Sequence, residues 1–268
     1  MFLLTSQIPN DLFGAAFYLA NKYAPLFLFG IRNTLLIALT ATVIGIFLGL
    51  GVGILKSIPI VNDDPLWRKI CIKCVKLLCG FYVEVFRGTP MMVQAVFIYY
   101  AFLDFFKLIP MLGSYKLTAG IIIVSINTGA YMAEIIRAGI QSLDKGQNEA
   151  ARSIGMNNFQ TMIFIILPQA IKNAFPAIGN EFVVNIKDTS VLNVIGITEL
   201  FFQTNTVAGT TYRFTDSFFV AALIYLVLTY STTSILKVIE HKMQLPVSGG
   251  PSSSSTPILV THYKGGKE

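Results

Sequence analysis

Charged residues are scarce in this sequence of 268 residues, because Asp, Glu, Lys and Arg make up only 13% of it, against roughly 25% in a soluble globular domain. Hydrophobic residues make up 54%. This balance excludes a disordered chain, which needs few apolar residues and many charges. It favours a membrane protein with several apolar segments of about 20 residues, the length of helix that crosses a hydrocarbon layer of about 30 Å.

Cysteine and histidine are also rare, with three and two residues in the whole chain. Cys71, Cys74 and Cys79 are odd in number, and His241 and His262 lie far from them along the sequence. A lone CxxC pair lacks the further ligands of a closed zinc site, so we predict no metal. The basic excess is typical of the cytoplasmic loops of membrane proteins, and we expect no nucleic-acid partner.

Motifs for nucleotide binding and hydrolysis are absent from the sequence. It contains no GxxxxGK[ST] phosphate loop, no HExxH and no GxSxG, the patterns of P-loop ATPases, zinc proteases and serine hydrolases. We therefore predict that the chain is not an enzyme and that it carries no cofactor of its own.

The hydropathy pattern predicts an all-α integral membrane protein with five transmembrane helices. The fourth segment is the least apolar, because Lys172, Glu181, Lys187 and Asp188 interrupt it. Parity supports it, since five spans keep the basic residues that follow the first and last spans on one side of the membrane. The predicted spans cover about 24–55, 81–106, 117–137, 166–190 and 217–237.

Basic residues set the expected orientation. They cluster after the first span, in residues 68–76, and after the last, at Lys237 and Lys242. The positive-inside rule then places the N-terminus outside and the C-terminus in the cytoplasm. We divide the chain into a transmembrane domain, residues 1–242, and a flexible C-terminal tail, residues 243–268, whose Gly, Ser and Pro content is typical of linkers.

Between the third and fourth spans, residues 140–165 form an amphipathic segment that we place in the cytoplasm. Glu149, Ala150 and Ala151 open it, and Gly155 follows after three residues. Alanine favours helix, and glycine readily adopts the left-handed conformation that ends one, so the pattern predicts two short helices joined at Gly155. Such a pair could also lie on the bilayer surface, as amphipathic helices do.

Polar residues within the predicted spans are costly in lipid and are functional candidates. Glu181, Asn185 and Asp188 stand at i, i+4 and i+7 and share one helical face, whereas Lys187 points away from it. An amino acid presents an ammonium and a carboxylate. Glu181 and Asp188 could bind the first, and Lys187 or Arg87 the second. Alternatively, Lys187 and Asp188 sit at the outer interface and stabilise the fold.

Two further polar groups lie in the second and third spans. Thr89 followed by Pro90 resembles an N-cap with proline at the first helical position, which predicts a helix break at Gly88. Gln94, one turn further, is predicted to line the substrate path. Asn127 lies at mid-depth and fits either a substrate contact or a hydrogen bond between helices.

Glycine recurs every fourth residue in the first span, at Gly45, Gly49 and Gly53. A stripe of small residues allows two helix backbones to approach closely. It predicts a packing surface, either within the subunit or against a second subunit.

The spacing of the 140–165 segment, with EAA, three residues, G, nine residues, I, one residue and LP, resembles the signature loop of the membrane-spanning subunits of bacterial ABC importers. Other segments are similar to the branch that takes up polar amino acids such as histidine, glutamine, glutamate, arginine and cystine. They read VEVFRGTPMMVQ (83–94), NTGAYMAEIIRAGI (127–140), KGQNEAARSIGM (145–156), ILPQAIKNAFPAIGNEF (166–182) and KDTSVLNVIGITEL (187–200).

This resemblance implies the ABC importer permease fold in a multi-pass protein of the bacterial cytoplasmic (inner) membrane. It implies that Glu149, Ala150, Ala151 and Gly155 couple the chain to an ATPase, and that a polar amino acid crosses by alternating access. The implied partners are two ATPase subunits, which bind ATP and Mg, a second permease that is identical or paralogous, and an external solute-binding protein. The alternative is an ion-coupled secondary amino acid transporter or a channel.

Overall fold

The structure is a computed structural model that describes residues 8–60, 65–109 and 114–243, and within these ranges the regular structure is entirely helical. A π-helical segment, Thr161–Ile166, directly precedes the α-helix Leu167–Asp188, and a 3-10 segment, Thr189–Ile195, directly follows that helix. The α-helices are α1 (Leu12–Lys22), α2 (Ala24–Ser57), α3 (Leu66–Gly88), α4 (Met91–Ala101), α5 (Leu103–Leu108), α6 (Tyr115–Gln141), α7 (Lys145–Ser153), α8 (Asn158–Gln160), α9 (Leu167–Asp188), α10 (Leu200–Thr211) and α11 (Phe214–Lys242).

Four helical segments within the described ranges are long and apolar enough to cross a membrane: α2, α6, Asn158–Ile195 and α11. They contain the first, third, fourth and fifth predicted spans. The span predicted over 81–106 is not one continuous helix, because α3 ends at Gly88 and α4 begins at Met91. The number of five spans and their orientation stay predictions.

The segment predicted as the loop 140–165 is more helical than expected. Helix α6 continues to Gln141, and residues from Asn158 onward already belong to the helical run that becomes α9. The linker that stands clear of the spans is therefore α7 with its flanking turns. The tail predicted over 243–268 lies, apart from Met243, outside the described residues.

Helices α2 and α6 form the central contact of the bundle through the glycine stripe. A β-carbon at Gly45 would lie 2.7 Å from Cγ2 of Thr128, and one at Gly49 would lie 2.7 Å from the carbonyl carbon of Met132. A methyl group does not fit at such separations, so both positions require glycine. The predicted packing surface is confirmed, and it lies within the subunit.

Besides a small cluster that packs α9 against α6 around Met132 and Ile178, two larger buried apolar clusters hold the helices. The larger joins α2 and α6 to α4 and the 3-10 segment, with Ile37, Ile121 and Leu192 fully buried. The second packs α1 against α2, α10 and α11 around Leu19 and Leu200. Helix α11 is otherwise little covered, with 11% of its most apolar window buried inside the subunit. The exposed apolar face of α11 fits contact with lipid or with another subunit.

Candidate functional site

Helix α7 projects from the bundle as a short capped helix. The Asp144 carboxylate accepts a hydrogen bond from the backbone N–H of Gly146 (2.6 Å) and so caps its start. At its end, Gly155 adopts φ +85°, and the N–H of Met156 donates to the carbonyl of Ala151 (3.1 Å). The predicted glycine turn at Gly155 is confirmed, but only the helix before it is short, because the helical run that begins at Asn158 continues into α9.

The second half of this linker is also capped. The side chain of Asn157 accepts from the N–H of Gln160, while the Gln160 side chain accepts from the N–H of Asn157, which together form a capping box. These reciprocal bonds satisfy two backbone donors at the start of the helical run. They join the linker rigidly to the π-helical segment and hence to α9.

Exposure separates the two faces of the linker. Glu149, Ala150 and Gly155 are exposed, whereas Ala151 is buried, only 4% accessible. Beside Gly155, Ile154 is 78% exposed and Phe159 is 73% exposed. Of the four predicted coupling residues, three therefore face outward and Ala151 packs against the protein. The exposed apolar tip of Ile154 and Phe159 lies next to them, and the EAA pattern alone did not single it out.

The helix break predicted near Gly88 is present and is closed by side chains. Gln94 is buried, and its Nε2 donates to the carbonyls of Phe86 and Thr89 (both 2.9 Å). Nδ2 of Asn127 on α6 donates to Oε1 of Gln94 (2.8 Å) and to the carbonyl of Phe86 (3.2 Å). Hydrogen bonds of Thr89, Gln94 and Asn127 thus stabilise the break. Of the two alternatives for Asn127, a substrate contact or a hydrogen bond between helices, the structure shows the second.

Asn185 does not face the same space as Glu181 and Asp188. Its side chain is buried, accepting from the hydroxyl of Thr128 (3.0 Å) and donating to the hydroxyl of Thr42 (2.8 Å). These bonds join α9 to α6 and α2 in the core. The polar seam predicted from the i, i+4, i+7 spacing is therefore reduced to the two carboxylates.

Glu181 and Asp188 are partly buried on α9 and lie close enough to interact electrostatically, as does Arg87 of α3 with Glu181. The Arg87 guanidinium also stacks over the ring of Tyr131, 5.4 Å from its centroid. Lys187 is exposed on another side of α9, where it lines a cavity of about 560 Å³ against α11. The structure thus brings Arg87 within electrostatic range of Glu181 and places Lys187 on another side of α9.

An ion cluster at the α7 end of the bundle was not predicted. Glu134 of α6 binds Lys56 of α2 (2.5 Å) and Arg137 one turn away (2.6 Å). The i, i+3 spacing of Glu134 and Arg137 could have indicated their pair. No sequence signal places Lys56 beside them, because that contact depends on how α2 packs on α6.

Glu199 is a second buried acid that the sequence did not reveal. It is fully buried at the start of α10, where its carboxylate accepts from the N–H groups of Phe201 (2.9 Å) and Phe202 (2.7 Å) and from the Tyr225 hydroxyl (3.1 Å). Burial raises the pKa of Glu199, and these three hydrogen bonds oppose that rise. The residue is an N-cap that fastens α10 to α11.

Glu199→Ala is expected to lower the stability of the bundle by about 2 kcal/mol, because it removes a helix cap and leaves buried donors unpaired. Thermal unfolding in detergent should show a midpoint several degrees lower. Glu199→Gln keeps one acceptor and should lose less. Asp104→Ala is the matched control, since the Asp104 side chain is 94% exposed. An unchanged midpoint for Glu199→Ala would contradict the capping role.

No metal site is evident in the part of the chain that the structure describes, since no three His, Cys, Asp or Glu side chains come together there. The polar groups that could contact a solute are Arg87, Glu181 and Asp188. Together they offer one cation and two carboxylates, which is the complement of an amino acid's own charged groups.

Known proteins are similar to this chain in both sequence and fold. A transport protein of Rickettsia typhi, provisionally named a glutamine transport system permease, is 38% identical over 225 residues, which are 83% of this chain and 96% of that protein. The arginine transport system permease of Bacillus subtilis is 34% identical over 224 residues, 82% of this chain and 93% of that one.

Solved structures agree. A chain in the crystal structure of an amino acid ABC transporter with histidines is 39% identical, with a TM-score of 0.72 over 88% of this chain and 100% of that one. An inward-facing methionine ABC transporter, 19% identical with a TM-score of 0.67 over 81% of this chain and 96% of that one, shows the same fold.

Residues 73–245 match the family described as the inner membrane component of binding-protein-dependent transport systems. That range contains the helix break, α7 and the glycine turn, and the acidic pair on α9. The chain therefore belongs to this family of inner membrane transport components, the permease subunits of ABC transporters.

Proposed function

We propose that this chain is the membrane-spanning subunit of an ATP-driven importer that moves a polar amino acid by alternating access. The observation that carries the proposal is the linker at α7, with its cap at Asp144, its left-handed Gly155 and its exposed Ile154 and Phe159. A rigid linker with an apolar tip is suited to seat in a groove of a separate ATPase and to pass on its motion. An ion-driven carrier has no need of one.

The assembly proposed around this chain contains two ATPase subunits that bind ATP and Mg, a second permease subunit and an external solute-binding protein. The chain itself lacks a phosphate loop, so the energy has to come from the partner subunits. Membership of the family and the amino acid transport named for its relatives support this composition.

For the solute, we propose that Glu181 and Asp188 bind the ammonium and Arg87 the carboxylate. Arg87 and Glu181 interact electrostatically, and Asp188 lies about two turns from Glu181 on α9. Lys187 and Asn185 are not included, because the first faces α11 and the second is bonded within the core. Thr89, Gln94 and Asn127 act by holding the helix break beside Arg87.

The test is uptake by the complex reconstituted in vesicles with its ATPase and solute-binding protein, using labelled glutamine and labelled arginine as separate probes. We expect accumulation only when ATP is supplied on the α7 side. The control omits ATP and imposes a proton or sodium gradient. Uptake driven by a gradient alone would overturn the proposal in favour of a secondary carrier, and passive equilibration would favour a channel.

A further inference from the structure

A polar cavity lies at the α7 end of the bundle, apart from the acidic pair on α9. Its volume is about 750 Å³, and it opens between the end of α2, the end of α6 and one face of α3. The residues that line it are Lys56, Ser57, Lys76, Glu84, Arg87, Glu134, Arg137, Ile140 and Gln141.

Four cations line this cavity against two acids, Glu84 and Glu134, and Glu134 is already paired. Glu134 binds both Lys56 and Arg137. Across the part of the chain that the structure describes, no acidic group lies within ion-pair distance of Lys76 or Arg87. Two cations are thus available to an anionic group that enters the cavity.

The polar face of α3 connects the cavity to the site proposed for the solute. Lys76, Glu84 and Arg87 are spaced by eight and three residues, which places them on one face of the helix. At the inner end of this face, Arg87 interacts with Glu181. Arg87 lines the cavity and interacts with Glu181, and Lys76, which also lines the cavity, lies about three turns before Arg87 on the helix.

The other face of α3 indicates where lipid lies. Leu78 is 69% exposed, and at about 100° per residue its position on the helix turns it away from both Lys76 and Arg87. An apolar face suits the hydrocarbon, whereas charged residues at membrane depth line a water-filled space or contact protein. The charged face of α3 fits a hydrated passage.

The geometry points to this cavity as the release chamber of the importer, in which the carboxylate of the departing amino acid passes from Arg87 to Lys76. The inference rests on the proposed function and extends it to the exit route. It assigns Lys76 a role in transport that is distinct from solute binding at Glu181 and Asp188, because Lys76 contacts the solute only after it has left Arg87.

Lys76→Glu tests the inference in the complete reconstituted complex. We expect ATP-driven uptake to fall about tenfold or more, since a carboxylate in the chamber repels the carboxylate of the solute. Lys76→Arg should retain uptake. Lys73→Glu is the matched control, one turn away on the same helix and outside the cavity lining. Equal uptake by Lys76→Glu and the unmodified complex overturns the inference, whereas no ATP-driven uptake by the unmodified complex overturns the proposed function instead.

A labelling experiment tests the chamber without relying on transport. In the complex with Cys71, Cys74 and Cys79 replaced by serine, Lys76→Cys should react with a membrane-impermeant anionic thiol reagent added on the α7 side. Leu78→Cys, on the apolar face, should stay unreactive. Failure of the reagent to reach position 76, or equal reaction at position 78, would show that this face of α3 does not border a hydrated passage.

Discussion

Gly49→Leu is expected to prevent the bundle from assembling. A β-carbon at Gly49 would lie 2.7 Å from the carbonyl carbon of Met132 and 2.8 Å from the backbone nitrogen of Ala133. Because these are backbone atoms, no change of rotamer on α6 relieves the clash, and α2 has to move away from its main partner. Overpacking of this kind costs about 1–3 kcal/mol or more. We expect the yield of monodisperse protein in detergent to fall about tenfold.

Gly51→Leu is the matched control for this prediction. It lies two residues away in the same helix, and a β-carbon there meets no atom within 4 Å. Replacing glycine in a helix by leucine also gains up to about 1 kcal/mol of helix propensity. Gly51→Leu should therefore give a yield and an unfolding temperature at least equal to those of the unmodified chain. Equal yields and unfolding temperatures for the two variants would contradict the close contact between α2 and α6 at Gly49.

Substitutions at the exposed tip of the linker should uncouple transport without unfolding the permease. Glu149→Arg reverses an exposed charge, and Ile154→Asp introduces a charge at a position where the native side chain is 78% exposed. Neither position contributes to a buried core, so the unfolding temperature should be unchanged. An aspartate at the centre of an apolar contact leaves a desolvated charge, and such changes cost several kcal/mol at interfaces. Co-purification with the ATPase and ATP-driven uptake should both fall to background.

Asp104→Arg provides the control for the charge reversal. Asp104 lies on α5, and its only described ion pair is with Lys107, also exposed; exposed pairs contribute little. This variant should bind the ATPase and transport normally. Normal coupling by Glu149→Arg and Ile154→Asp together would contradict the assignment of this linker as the ATPase contact.

Local sequence signals predicted the features that depend on neighbouring residues. The turn at Gly155, the break before Pro90 and the close packing of Gly45 and Gly49 follow from backbone conformation and side-chain size. These properties act over a few residues, so they can be recognised without knowledge of the fold.

Features that depend on how helices rotate against each other were less predictable. Periodicity put Asn185 on one face with Glu181 and Asp188, yet a face about 100° wide includes side chains that point into different spaces. The Asn185 side chain points into the core, where it forms hydrogen bonds with the hydroxyl groups of Thr42 and Thr128. In the same way, Ala151 belongs to the predicted coupling pattern, but its side chain is buried on the inner side of α7.

The span predicted over 81–106 shows a limit of hydropathy. Its charge-free stretch, residues 88–103, is apolar enough to suggest one helix, but Pro90 lacks the N–H that a continuous helix requires at that position. Gln94 and Asn127 satisfy the exposed carbonyls instead. The amide partner on α6 lies 33 residues from Gln94 and could not be inferred from the local pattern.

The hydrogen bonds of the core also bear on how the protein is made. Thr42 on α2 receives its bond from Asn185, which is 143 residues further along the chain. At a synthesis rate of about 5–20 residues per second, this partner emerges roughly 7–30 s after Thr42. During that interval the Thr42 hydroxyl on α2 lacks its partner from α9. Insertion of this helix therefore has to precede its packing, and the nascent chain passes through a state that the insertion machinery, rather than the finished bundle, has to protect.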